Sequence, residues 1–246
     1  MSDVTLSYKG SDILELSDSG SATLKTGGKY CEGDIGVEYV KPSGGGTDYL
    51  EQLILRTLTS YSNSTITSVG QQSFYQYWPL VEVDFPNVTT VGAQAFQGTK
   101  LTNIFFPKAT CNSNSFAQCT SAITAVVGKF GSDRTLSGCS KLKKVDICLQ
   151  TNVGARTFEI CSVLDTIIIR STTLCRMTEA ASDVFRRATK FLSGGSGGEI
   201  YVPEALIDTY KSATNWSTLD GYGTVTWKKI EGSYYETHYA DGTVIE

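Results

Sequence analysis

The sequence predicts a β-rich solenoid of short repeats, preceded by a small β module and closed by a strand-helix cap. One unit of about twenty-one residues is written five times between Ser64 and Ile169. Its anchor residues Phe74, Phe96, Phe116, Leu136 and Phe158 stand 22, 20, 20 and 22 residues apart. Each anchor is followed, about six residues on, by a short apolar run. A fixed period of this size marks a layered body whose units stack because none can bury its apolar side alone.

The clearest copy reads Ser68-Val69-Gly70, Ser73-Phe74, then Leu80-Val81-Glu82-Val83-Asp84-Phe85-Pro86. The order returns as Thr90-Val91-Gly92, Ala95-Phe96 and Leu101 to Pro107. It recurs around Phe116 with Ala122 to Val127, around Leu136 with Leu142 to Ile147, and around Phe158 with Leu164 to Ile169. The anchor belongs to an irregular or single-turn segment. The run after it reads as a strand, with Val83 and Phe85 pointing one way, Glu82 and Asp84 the other, and Leu80 turning inward at a corner. Stacked copies place the anchors in one internal column, each contributing about 1.5–3 kcal/mol when fully buried.

These residues resemble the BspA-type leucine-rich repeats of bacterial surface proteins and of prophage-encoded proteins of gut bacteria. The resemblance is carried by Val69-Gly70 to Ser73-Phe74, Val91-Gly92-Ala93-Gln94-Ala95-Phe96 and Cys139-Ser140-Lys141-Leu142. The closing Ile200-Tyr201-Val202-Pro203, with Tyr210-Lys211 and Trp216 behind it, adds to this, so that it spans about Thr57 to Ile230. Leu136 replaces the aromatic anchor, Ala122 replaces a strand leucine, and the Phe96 unit is one residue shorter between anchor and strand. The resemblance implies a leucine-rich-repeat solenoid serving as a non-enzymatic binding or structural protein.

Taken in order, residues 1–41 read as the β module. Val4 to Tyr8, Ile13 to Leu16, Ala22 to Thr26 and Asp34 to Val40 are short runs parted by Gly, Ser and Asp clusters. The segment Ala22 to Cys31 is similar to one that precedes such repeats in prophage tail-associated proteins. Residues 42–48, with Gly44-Gly45-Gly46, read as a flexible linker. The solenoid is assigned 49–192: Tyr49 to Leu55 as helical turns after Asp48, then Thr57 to Tyr61 and Thr65 to Val69 as strands about Ser62-Asn63-Ser64 forming a first cap. Beyond Ile169 the period fails. Thr178 to Arg187 has helical composition, with Phe185 as a late anchor, and Ser193 to Gly198 is a loop. The cap, 193–231, joins the strand Ile200-Tyr201-Val202 to a helix with Pro203 at its first position, and Trp216 and Trp227 close the last layer. Residues 232–246 read as a hairpin of Tyr234 to His238 and Thr243 to Ile245 about Asp241-Gly242.

Composition excludes several functions. With 21 basic and 25 acidic residues in 246 and a net charge of −4, there is no basic block for nucleic acid. No run of about 18 apolar residues predicts membrane insertion, and the N-terminus as given carries no export signal. Cys119, Cys139 and Cys161 each lie three residues after an anchor and read as a ladder of buried thiols, without the paired spacing or the histidines of a zinc site. Seven cysteines, an odd number, argue against a disulfide framework. His238, the one histidine, stands by the terminal turn, and Glu82 and Asp84 read as the solvated side of a strand rather than a glycosidase pair. Gly194 to Gly198 lacks the lysine and following helix of a phosphate loop. No catalytic residue, metal or cofactor is expected.

The candidate binding residues lie at outward strand positions. One column reads Glu82, Asn103, Thr124, Lys144 and Thr166; its neighbour reads Asp84, Phe105, Val126, Asp146 and Ile168. Phe105, Val126 and Ile168 are apolar on a face expected to meet water. They fit either a ligand surface or one covered by a cap, the N-terminal module or self-association in a homo-oligomer. The expected role is a phage or prophage tail protein, made in the bacterial cytoplasm and carried on the virion. Its partners would be virion proteins and a host-surface glycan or protein receptor. The alternative is a bacterial cell-surface adhesin.

Overall fold

The computed structural model describes residues 59–195, 197–222 and 225–230, and the backbone of three N-terminal strands. The expected strand Asp34 to Val40, the linker, the turns at Tyr49 to Leu55 and the terminal hairpin lie outside the described residues. The N-terminal strands, β1 (Val4–Tyr8), β2 (Ser11–Leu16) and β3 (Ala22–Leu24), form an antiparallel meander in that order.

The repeats coil into two parallel ladders joined by a turn side. The main ladder contains β4 (Ser60–Ser62) and β6 (Glu82–Asp84), paired together. It continues through β8 (Asn103–Cys111), β9 (Thr124–Phe130), β10 (Lys144–Ile147), β12 (Thr166–Ile169), β14 (Gly198–Val202) and β15 (Val225–Lys229). The second ladder holds β5 (Ser68–Val69), β7 (Thr90–Val91), the far ends of β8 and β9, and the separate pair β11 (Asn152–Val153) and β13 (Arg176–Met177). Thr57 to Tyr61 and Thr65 to Val69 were expected as a cap about a turn. β4 and β5 instead pair forward, one into each ladder, and so already form a coil.

Along the turn side each anchor amide donates to the next coil: Phe74 to Ala95 at 2.6 Å, Phe96 to Ser115 at 2.7 Å, Phe116 to Thr135 at 3.0 Å, Leu136 to Thr157 at 3.2 Å and Phe158 to Val184 at 3.1 Å. The residues two before and two after the anchor have positive φ, as at Gln94 (58°) and Gly98 (77°), or Arg156 (54°) and Ile160 (61°). This alternation turns every second N–H along the solenoid axis, so the turns form a ladder without being strands.

Inside, the anchors make one row. Phe74 stacks on Phe96 with centroids 5.0 Å apart and Phe96 on Phe116 at 5.4 Å, both within 6° of parallel. Leu136, fully buried, interrupts the rings, and Phe130 of β9 meets Phe158 edge-on at 5.8 Å. The corresponding positions in other coils hold Val91, Cys111 and Val153, so Phe130 supplies the bulk that Leu136 lacks. The row resumes with Phe158 on Phe185 at 5.2 Å and Phe185 on Phe191 at 4.9 Å, which places the late anchor in line.

The C-terminal cap completes the last coil. It contains α1 (Ala181–Val184), α2 (Ile207–Ser212) and α3 (Trp216–Gly221). Pro203 precedes a single 3-10 turn, Glu204–Leu206, rather than opening the helix itself, and Gly198 belongs to β14 rather than to the loop. Gly198 lacks a Cβ because one would meet the Phe191 ring at 2.6 Å. The backbone beside β13 has no further coil to pair with. Cap side chains take that place: Cys175 N–H donates to Tyr210 Oη at 3.0 Å, Trp216 Nε1 donates to Cys175 C=O at 2.8 Å, and Asn215 Nδ2 to Met177 C=O at 2.9 Å. Trp227 lies against both Tyr210 and Trp216.

A β-branched residue in the left-handed region is strained by about 1–2 kcal/mol. Ile160 is such a residue, with its side chain partly in solvent. Ile160→Asn is therefore expected to raise the melting temperature by about 2–4 °C, measured by circular dichroism.

Candidate functional site

The outer face of the main ladder is built by register. Asn103, Thr124, Lys144 and Thr166 are direct partners in successive strands, and so are Phe105, Val126, Asp146 and Ile168. Glu82 and Asp84 stand one coil away on β6, tied to the next coil by Thr102 N–H donating to Val81 C=O at 3.0 Å. The columns run further than expected, into Glu199 and Tyr201 of β14 and Thr226 and Lys228 of β15. These were missed because β14 follows β12 by more than one period, although Ile200 to Val202 itself reads as a strand.

Exposure differs along the face. Glu82, Asp84 and Asn103 are exposed, and Thr124, Lys144, Thr166, Phe105 and Val126 are half-buried. Asp146 is only 4% exposed and Ile168 is fully buried, so the expectation that both meet water fails. In register Ile168 lies between Asp146 and Tyr201. Arg170, two residues on, reaches diagonally to Asp146 with Nε–Oδ1 at 2.8 Å and Nη2–Oδ2 at 2.7 Å. A forked ion pair and a tyrosine thus border Ile168 on both sides.

Polar contacts also tie the face together. Thr124 donates to Asn103 Oδ1 at 2.8 Å. Glu199 accepts from Tyr201 Oη at 2.9 Å and from Lys228, whose ammonium also lies 5.5 Å from the Tyr201 ring centre. Hydrogen bonds from Lys228 and then Tyr201 hold the Glu199 carboxyl below its ordinary range. Trp78, at 63%, is the most exposed large apolar side chain among the described residues. It falls between the two periodic apolar positions of its repeat, where pattern reading does not look.

The cysteine ladder is structural. Cys119, Cys139 and Cys161 are buried free thiols that donate to the anchor carbonyls of the preceding coil, Phe96, Phe116 and Leu136, at 3.2, 3.2 and 3.3 Å. Among the described residues no group of three or more His, Cys, Asp or Glu side chains could hold a metal ion. No helix there is long and apolar enough to cross a membrane. His238 and Cys31 lie outside the described residues.

Parallel short strands, a turn side and a strand-helix cap define a leucine-rich-repeat β-solenoid. Residues 53–165 match the family of BspA type leucine rich repeat regions in six copies. A solved leucine-rich repeat protein from Bacteroides ovatus ATCC 8483 is similar at 16% identity, with a TM-score of 0.33. The match covers 71% of this chain and 61% of that one. No curated protein matches the chain.

Two outcomes follow from this geometry. Asp146 is nearly buried and accepts two hydrogen bonds from Arg170, so Asp146→Ala is expected to cost about 1.5–3 kcal/mol in urea unfolding. Burial pushes the Cys161 thiol up to about 12 from 9.0 and raises that of Cys111 as well. Below pH 9 both folded and unfolded chains keep the Cys161 proton; from 9 to 12 only the folded chain does. That stabilisation is complete below the unfolded value and is lost as pH rises. Between pH 9 and 11, wild type should lose up to about 1.4 kcal/mol per pH unit more than Cys161→Ala.

Proposed function

We propose that this chain is a non-enzymatic binding protein of a phage or prophage tail. Residues 4–40 engage another virion protein, and the outer face of the main ladder holds a host-surface ligand, a glycan or a protein receptor. The observation that carries this reading is the unbroken register of Asn103, Thr124, Lys144 and Thr166 beside Phe105 and Val126. Strands at a fixed spacing of about 4.8 Å present these side chains as a rigid array, with little ordering cost on binding. Half-buried Phe105 and Val126 supply apolar anchors, and Glu82, Asp84, Asn103 and Lys144 a polar surround. The chain is thus made in the bacterial cytoplasm and carried on the virion.

Mass spectrometry of purified virions is expected to find the chain. Recovery only from washed cell envelopes would instead identify a bacterial cell-surface adhesin. In either setting Phe105→Asp and Val126→Asp, which spare the buried Ile168, should weaken adherence to host cells at least about tenfold with unchanged circular dichroism. Unchanged adherence in both variants would remove this face from recognition.

A further inference from the structure

The second ladder departs from strict repetition at one step. In two successive coils the chain passes from one ladder to the other as a single strand, β8 from Asn103 to Cys111 and β9 from Thr124 to Phe130. In the next coil β10 ends at Ile147 and β11 begins at Asn152, with the corner Cys148-Leu149-Gln150-Thr151 between them. Lys129 and Phe130 pair with Thr110 and Cys111, whereas Asn152 and Val153 pair with Arg176 and Met177. No ladder joins β9 to β11. Thr151 replaces the missing rung: its hydroxyl, in a residue 4% exposed, accepts from Phe130 N–H at 3.0 Å and donates to Phe130 C=O at 2.9 Å. Both backbone groups are satisfied, so the break is a defined piece of structure.

Beside the step lies a recess of about 420 Å³ lined by Lys129, Gln150, Thr151 and Asn152, and Asp133 joins it to a second recess of about 470 Å³ along the turn side. Asp133 is fixed across the coil boundary, its Oδ1 accepting from Ala155 N–H at 3.0 Å. Gly154 permits that approach, since a Cβ there would lie 2.2 Å from the same oxygen. Asp133 Oδ2 accepts nothing from the described residues, and the polar ends of Lys129, Arg134, Gln150 and Asn152 have no partner among them. Arg156 is engaged by Asp183 at 3.4 Å.

The chemistry of this set selects its ligand. Lys129 and Arg134 balance Asp133 and Glu179, so the recesses favour neither an anion nor a cation. Phe130 is 6% exposed, so it offers little ring face to a greasy ligand. The guanidinium of Arg134 and the amides of Gln150 and Asn152 each offer two planar hydrogen-bonding positions and Asp133 Oδ2 a further acceptor, a set that neighbouring hydroxyls can match. Recesses of several hundred Å³ are of ligand size. We infer that this polar step binds a neutral oligosaccharide through its hydroxyls, at a site separate from the outer face of the main ladder.

The test uses the full chain, labelled with 15N and titrated separately with maltotetraose, cellotetraose and chitotetraose to about 10 mM, above the Kd of about 1 mM of a weak complex. At least one is expected to shift the side-chain amide signals of Gln150 and Asn152. Asp133→Ala and Asn152→Ala should each weaken that binding about tenfold or more, while Phe105→Asp leaves it unchanged. Asp133→Asn, which keeps an acceptor for Ala155 N–H, separates loss of the ligand contact from loss of the local fold and should also weaken binding. Absence of shifts with all three sugars, or shifts that persist unaltered in the Asp133 and Asn152 variants, would overturn the assignment. Failure here leaves the reading of the main-ladder face standing, because Phe105 belongs to the other ladder.

Discussion

The solenoid depends on one constraint: a coil of about twenty residues has no interior until another coil lies on it. Successive coils must therefore keep the same rotation and rise, and equivalent residues pile up in columns. Phe74, Phe96 and Phe116 stack nearly parallel because translation is the only operation relating them. The same operation aligns Asn103 with Thr124 on the outer side. Core and outer face are two readings of one register, so a change that tilts a coil alters both.

Close stacking leaves polar backbone deep inside, and the sequence deals with it column by column. Ahead of the anchors stand Ser73, Thr135 and Thr157, buried hydroxyls that donate to carbonyls three residues back, at 3.0, 3.1 and 2.8 Å. Behind them Thr99 and the three thiols bond to anchor carbonyls. A thiol suits that column because it is small and mostly apolar while still offering a weak donor. The cap extends the same logic, with Tyr210, Trp216 and Asn215 replacing the missing coil by side chains. Apolar burial drives the stacking, and these hydrogen bonds determine which stacking is accepted.

Much of this was legible in the residues themselves. Anchor spacing gave the single row, and the alternation around Val83 gave its buried and solvent sides. Leu80, fully buried, turns inward as its position before the strand implies. What pattern could not give were effects that pass between columns. Phe130 compensates for Leu136, and Arg170 reaches across a strand to Asp146; each is a diagonal contact between positions that look independent in sequence. The exposure of Trp78 and the break bridged by Thr151 escaped for the opposite reason, since both lie off the period that made the rest readable.

Periodicity therefore constrains and permits at the same time. Anchor and strand positions are fixed by their neighbours above and below, so a substitution there is felt in three coils. The corners between the ladders carry no such obligation: one residue, Gly128, separates Val127 from Lys129, whereas six separate Ile169 from Arg176. Corner length can change without disturbing the internal row, provided that any backbone group left unpaired finds a substitute such as the Thr151 hydroxyl. The recess lined by Gln150, Thr151 and Asn152 lies where the corner lengthens from one coil to the next, so that the surface steps without the core having to follow.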